Sequence, residues 1–141
     1  MSLANEVLYR QQLAEGFLSE ARQDFSLGRW RSCVDNSQLA TENAAKGVLA
    51  LLGPVGRTHN PAGLLRTALE KREYPVKLHQ QVELLAECAE LLGYDIHVQS
   101  DYGDEVGGRT PWELFDEEAA RQALELADKA VGLANQIIPG V

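Results

Sequence analysis

The chain has 141 residues, 45% of them hydrophobic and 24% charged, with 13 Lys and Arg against 21 Asp and Glu for a formal net charge of −8. That length supports one core, so a single domain over residues 1–141 is expected, and its acidic surface argues against non-specific DNA binding. No apolar run approaches the roughly 20 residues that span a bilayer and no basic-then-apolar leader opens the chain, so a cytoplasmic, non-membrane protein is expected.

Leu3, Val7, Leu13, Phe17, Ala21 and Phe25 form a helical stripe over residues 3–27. Gly16 interrupts it at a cost of about 1 kcal/mol relative to Ala. Glu6, Arg10, Glu20 and Gln23 make the polar face, and Gly28 is a left-handed stop. A second stripe, residues 30–52, carries Trp30, Cys33, Val34, Ser37, Ala40, Ala44, Val48, Leu51 and Leu52. Its small residues, Ser37, Ala40, Ala44 and Gly47, let another helix approach closely. This segment is apolar around much of its circumference and is expected to be the central helix. Glu42 and Lys46 read as a surface i,i+4 pair worth a few tenths of a kcal/mol. Trp30, Leu39, Leu49 and Leu52 cannot all point inward, which predicts an exposed stripe and a homodimer.

Gly53-Pro54-Val55-Gly56 breaks the chain. Pro61 then suits the first position of a third helix with Asn60 as its N-cap, and Leu64, Leu65, Ala68 and Leu69 give it a short apolar face. Lys71 and Arg72 complement its C-terminal end. A fourth helix is predicted over 76–92, where Leu78, Val82, Leu85, Ala89 and Leu92 form a bundle-like seam. Residues 93–114, punctuated by glycines, read as a loop of about 20 residues, a length that usually marks function or mobility. Its Asp95, Asp101, Asp104 and Glu105 lack EF-hand spacing and read as surface solvation, so no metal site is expected. Asp116 caps the last helix, whose stripe runs from Ala119 to Ile138. Five helices, mostly joined by short turns, predict an all-α, up-and-down antiparallel bundle. Cys33 and Cys88 lie on apolar faces without a CxxC and read as reduced, buried thiols. No cofactor motif is present.

Two polar constellations carry possible chemistry. Arg57 and His59 lie just before the Pro-started helix, near Asn60 and beside Lys46. A cation and a proton carrier next to free helix N–H groups suit a phosphate. The alternative is that His59 only helps satisfy that helix start. Arg72 and His79 flank the next turn, where an Arg could stabilise developing negative charge while a His moves a proton. The alternative there is a polar helix face.

The segments Phe17–Phe25, Gly28-Arg29-Trp30, Ser37–Leu49 and Thr58-His59-Asn60-Pro61 before Leu64-Leu65 resemble the HEPN domain family, as do Asp101-Tyr102-Gly103-Asp104 and Pro111 to Ala127. The resemblance covers nearly the whole chain. It implies an all-α bundle that commonly dimerises, often paired with a small nucleotidyltransferase partner. Some branches are metal-independent RNases, toxins among them, that use an Arg and a His with four to six residues between them. Others bind nucleotides or partner proteins. Arg57 and His59 do not match the RNase spacing. Arg72 and His79 match it but stand at the helix three–four turn, and Asp101 occupies a position where this branch usually has Arg. The resemblance with the acidic charge therefore implies a binding module for a nucleotide, RNA or nucleotidyltransferase. The alternative is an RNase using Arg72 and His79.

Overall fold

The computed structural model describes residues 2–141, and every segment predicted to be helical is helical. The long elements are α1 (Leu3–Ser26), α2 (Trp30–Ala50), α4 (His79–Leu91) and α7 (Glu117–Ile137), with the shorter α3 (Pro61–Glu70) between α2 and α4. No β-strand is present among the described residues. The ends follow the local chemistry. Ser2, Asn60 and Asp116 accept backbone N–H groups at the starts of α1, α3 and α7, satisfying donors that the helix itself leaves free. A 3₁₀ turn, Val76–Leu78, leads into α4.

α2 is the central helix. It packs against α1, α3, α4 and α7, and Cys33, Val34, Ala40, Ala44, Ala45, Val48 and Ala50 are all nearly inaccessible to water. The alanines of α7, Ala120, Ala123, Ala127, Ala130 and Ala134, are buried too, so small residues on both helices allow close approach. One core cluster holds Leu65, Val82, Leu85 and Ile137. Burying each such side chain stabilises the fold by about 1.5–3 kcal/mol. A second, at the other end, surrounds Cys33, Val34 and Leu92 with Phe25, Trp30 and Phe115. Tyr74 is buried in the connector after α3, and its hydroxyl donates to the Val48 carbonyl at 2.8 Å.

Three expectations change. Residues 93–114 are not a loop throughout. They form α5 (Tyr94–Tyr102), a turn closed by the isolated bridge between Asp104 and Arg109, and α6 (Pro111–Leu114). Tyr94, Ile96, Val98 and Tyr102 alternate with polar residues, so α5 has no 3.6-residue stripe to read. Tertiary packing on α2 makes it helical, with Ser100 fully buried. Gly103 ends α5 at φ 74°, where a Cβ would meet the Arg109 carbonyl oxygen at 2.2 Å, so this turn needs glycine. Second, Glu42 and Lys46 are not a surface pair: their side chains are 14% and 10% exposed at 3.4 Å. Third, the apolar circumference of α2 is covered in large part within the chain, while Trp30 and Leu39 stay half-buried. α5 and α6 also pack against it, and Leu49 is buried. Leu52 stays exposed, but it lies beyond the helix. The apolar surface left on this side of the molecule is therefore smaller than the four-residue stripe expected.

Candidate functional site: a cationic groove

A groove of about 330 Å³ is lined by Arg10, Lys46, Val55, Gly56, Arg57, Thr58 and His59. It brings together three residues singled out from the sequence, Lys46, Arg57 and His59, and adds Arg10 from α1. The local packing explains Arg10. Gly47 on α2 has no side chain, and a Cβ there would lie 3.4 Å from Arg10 Cβ and 4.0 Å from the Val7 carbonyl oxygen. The close approach of α1 and α2 sets Arg10 beside the turn that holds Lys46. Arg10 Nη1 donates to Asn43 Oδ1 at 3.0 Å, and its Nε is buried without a partner. Arg10 and Arg57 make no ion pair among the described residues.

The segment after α2 forms the rim. Val55 N–H donates to Glu6 Oε1 at 3.3 Å, which ties the rim to α1. His59 stacks on Tyr94 of α5, with ring centroids 3.9 Å apart. Asn60 does not line the groove. Its Oδ1 accepts Gly63 N–H at 3.1 Å and its own N–H donates to Thr58 Oγ1 at 2.9 Å, so it shapes the turn that presents His59. Chemically the groove offers several N–H donors and three positive charges, on Arg10, Lys46 and Arg57, with Glu42 as the carboxylate directly engaged by Lys46. That set can hold a phosphate or carboxylate group.

Arg72 and His79 stand elsewhere. Arg72 is exposed just past α3, in left-handed backbone at φ 57°. His79 opens α4, and its Nε2–H donates to the Tyr74 carbonyl at 2.8 Å. That bond commits one ring nitrogen to the connector and leaves Nδ1 for any proton transfer.

A larger cavity of about 520 Å³ opens at the start of α2, between Arg29, Trp30, Arg31, Ser32, Trp112 and Phe115. Its positive end is already compensated. The buried Asp24 carboxylate accepts from Ser32 Oγ at 2.7 Å and Asn36 Nδ2 at 2.8 Å, and lies 3.9 Å from Arg29.

One cluster went unread in the sequence. Arg31 and Asp35 on α2 meet His97 and Asp101 on α5. Burial and the neighbouring Asp35 carboxylate push the Asp101 carboxyl up, while His97 and Arg31 oppose that shift. The available signal was the i,i+4 spacing of His97 and Asp101, hidden because the stretch reads as a loop. Asp101 stands where the family resemblance leads one to expect Arg, and the cation facing it comes instead from Arg31.

The HEPN domain profile matches residues 7–137. The chain belongs to the HEPN domain family. Among solved structures it is similar to TT1696 from Thermus thermophilus, at 21% identity and a TM-score of 0.68, covering 94% of this chain and 98% of that one. At that identity the likeness shows a shared fold. No functionally curated protein matches the chain. No helix among the described residues is long and apolar enough to cross a membrane.

Proposed function

We propose that this HEPN-family chain is a binding module whose Arg10, Lys46, Arg57 and His59 groove takes the phosphate of a nucleotide or an RNA segment. One observation carries the reading: three cationic side chains and an imidazole converge on one groove of a protein with a formal charge of −8. Such local concentration against the overall field favours a specific anion over diffuse attraction to nucleic acid. Family membership supports a homodimer, and the resemblance implies a small nucleotidyltransferase as its protein partner. The test is calorimetric titration with 5′-AMP, inorganic phosphate and a short RNA. Arg57→Ala combined with His59→Ala is expected to weaken binding at least tenfold, since a charge-assisted contact contributes about 1.5–3 kcal/mol. Equal affinity in that variant overturns the groove. A monomer at micromolar concentration in light scattering removes the dimer. RNA cleavage in EDTA that disappears in Arg72→Ala and His79→Ala would replace binding with catalysis.

A further inference from the structure

Outside the groove, α2 and α5 build the polar cluster described above. Asp35, His97 and Asp101 each place one donor atom within 4.8 Å of the other two. Their carboxylate oxygens divide into two sets. Arg31 takes the outer ones, lying 4.0 Å from Asp35 Oδ2 and 3.5 Å from Asp101 Oδ1, while its Nη1 also donates to the Ser100 carbonyl at 2.8 Å. The inner ones face the imidazole. Asp35 Oδ1 is 2.8 Å from His97 Nδ1, and Asp101 Oδ2 is 3.6 Å from His97 Nε2.

These two inner contacts differ in kind. Asp35 accepts Nδ1–H, which fixes the tautomer and leaves Nε2 as a lone pair in the neutral ring. Between Nε2 and the Asp101 oxygen either a proton or a metal ion is favourable, and the two compete for one place. A metal ion there gains from both groups. The 3.6 Å separation is long for a hydrogen bond. It does suit two ligands on one ion, because two bonds of about 2.1 Å meeting at about 120° span about 3.6 Å. His97 and Asp101 are four apart on α5, so one face of the helix presents both. A carboxylate on the far ring nitrogen, the place of Asp35, is the usual outer partner of a metal-bound imidazole.

We infer that Asp35, His97 and Asp101 form a binding site for a divalent transition-metal ion. His97 Nε2 and Asp101 Oδ2 are the direct ligands, Asp35 orients the ring, and Arg31 holds the outer carboxylate oxygens in place. One imidazole with carboxylate oxygen suits Mn²⁺, Co²⁺ or Zn²⁺ better than an all-oxygen ion such as Ca²⁺. The His97 and Asp101 side chains are 28% and 34% exposed, so an ion can enter and water can complete its shell.

The experiment is titration with Mn²⁺ followed by paramagnetic broadening of amide signals, with Zn²⁺ binding measured calorimetrically. One ion per chain is expected, with broadening centred on Arg31, Asp35, His97 and Asp101. Affinity should fall at least tenfold in His97→Ala and in Asp101→Asn, and by roughly 10–100-fold in Asp35→Asn, the usual effect of losing an outer partner. Circular dichroism of each variant checks that its helices persist. No binding at millimolar metal, broadening centred elsewhere, or equal affinity in His97→Ala and Asp101→Asn overturns the site. None of these outcomes depends on the anion titrations of the Arg57 and His59 variant.

Discussion

The Glu42–Lys46 pair gives the most direct quantitative test of the groove. At 3.4 Å the gross attraction is about 5 kcal/mol for an effective dielectric of about 20. Desolvation of two largely buried ions offsets most of this, leaving a net coupling of about 1–2 kcal/mol. An exposed i,i+4 pair would give only about 0.2–0.5 kcal/mol. The perturbations are Glu42→Gln, Lys46→Met and the double variant, each unfolded in urea to complete a double-mutant cycle. Glu42→Gln has a second consequence. It leaves the Lys46 ammonium, on a side chain 10% exposed, without its carboxylate. In phosphate-free buffer that variant should be destabilised, and added inorganic phosphate should recover the loss by binding the freed charge. Anion affinity should rise in Glu42→Gln and fall in Lys46→Met. A coupling below about 0.5 kcal/mol would show that the pair behaves as an exposed one. Destabilisation of Glu42→Gln that phosphate cannot recover would refute the claim that Lys46 faces the ligand.

Tyr74→Phe removes the bond to the Val48 carbonyl and should cost about 1 kcal/mol, read as a lower urea midpoint at constant slope. Gly103→Ala should cost more than about 2 kcal/mol, because positive φ and contact with the Arg109 backbone act together; a neutral result would mean that the turn between α5 and α6 relaxes freely. Burial pushes the Cys33 thiol from 9.0 up to about 11, so the folded state resists forming the thiolate. Its contribution is fully present below pH 9 and is lost as pH rises toward 11, about 2–3 kcal/mol in all. Cys33→Ala should flatten that alkaline slope, measured by urea unfolding at pH 8, 9 and 10, and a slope unchanged by the substitution would contradict the assignment. Neither Cys33 nor Cys88 should react with a thiol reagent at pH 8 without denaturant, since burial raises both thiols.

The long helices were legible because one rule governs each: apolar residues at helical spacing, bounded by Asn60 with Pro61, by Asp116, or by a stopping glycine. α5 was illegible because its apolar residues alternate, and only the neighbouring α2 surface selects helix there. The site was half legible. Lys46, Arg57 and His59 lie close in sequence around one turn, so chain order alone brings them near. Arg10 joins them through a helix–helix approach that depends on Gly47, a tertiary effect with no local signature. The Asp35–His97–Asp101 cluster spans 62 positions between Asp35 and His97 and needs the correct assignment of α5 before its spacing means anything.

The central place of α2 also sets the order of events during synthesis. α2 is finished at Ala50, but α7, which supplies its alanine-rich neighbour, begins only at Glu117. At about 5–20 residues per second, roughly 65 intervening residues take several seconds to emerge. During that interval α1 and then α3, α4, α5 and α6 can dock on α2, while the side that will meet α7 stays uncovered. The alanines that allow close packing in the finished protein also make this waiting surface weakly adhesive, since each exposes little apolar area. A leucine at Ala40 or Ala44, both buried, would therefore harm the chain twice, by overpacking the core around α2 and by enlarging the apolar surface of the nascent helix.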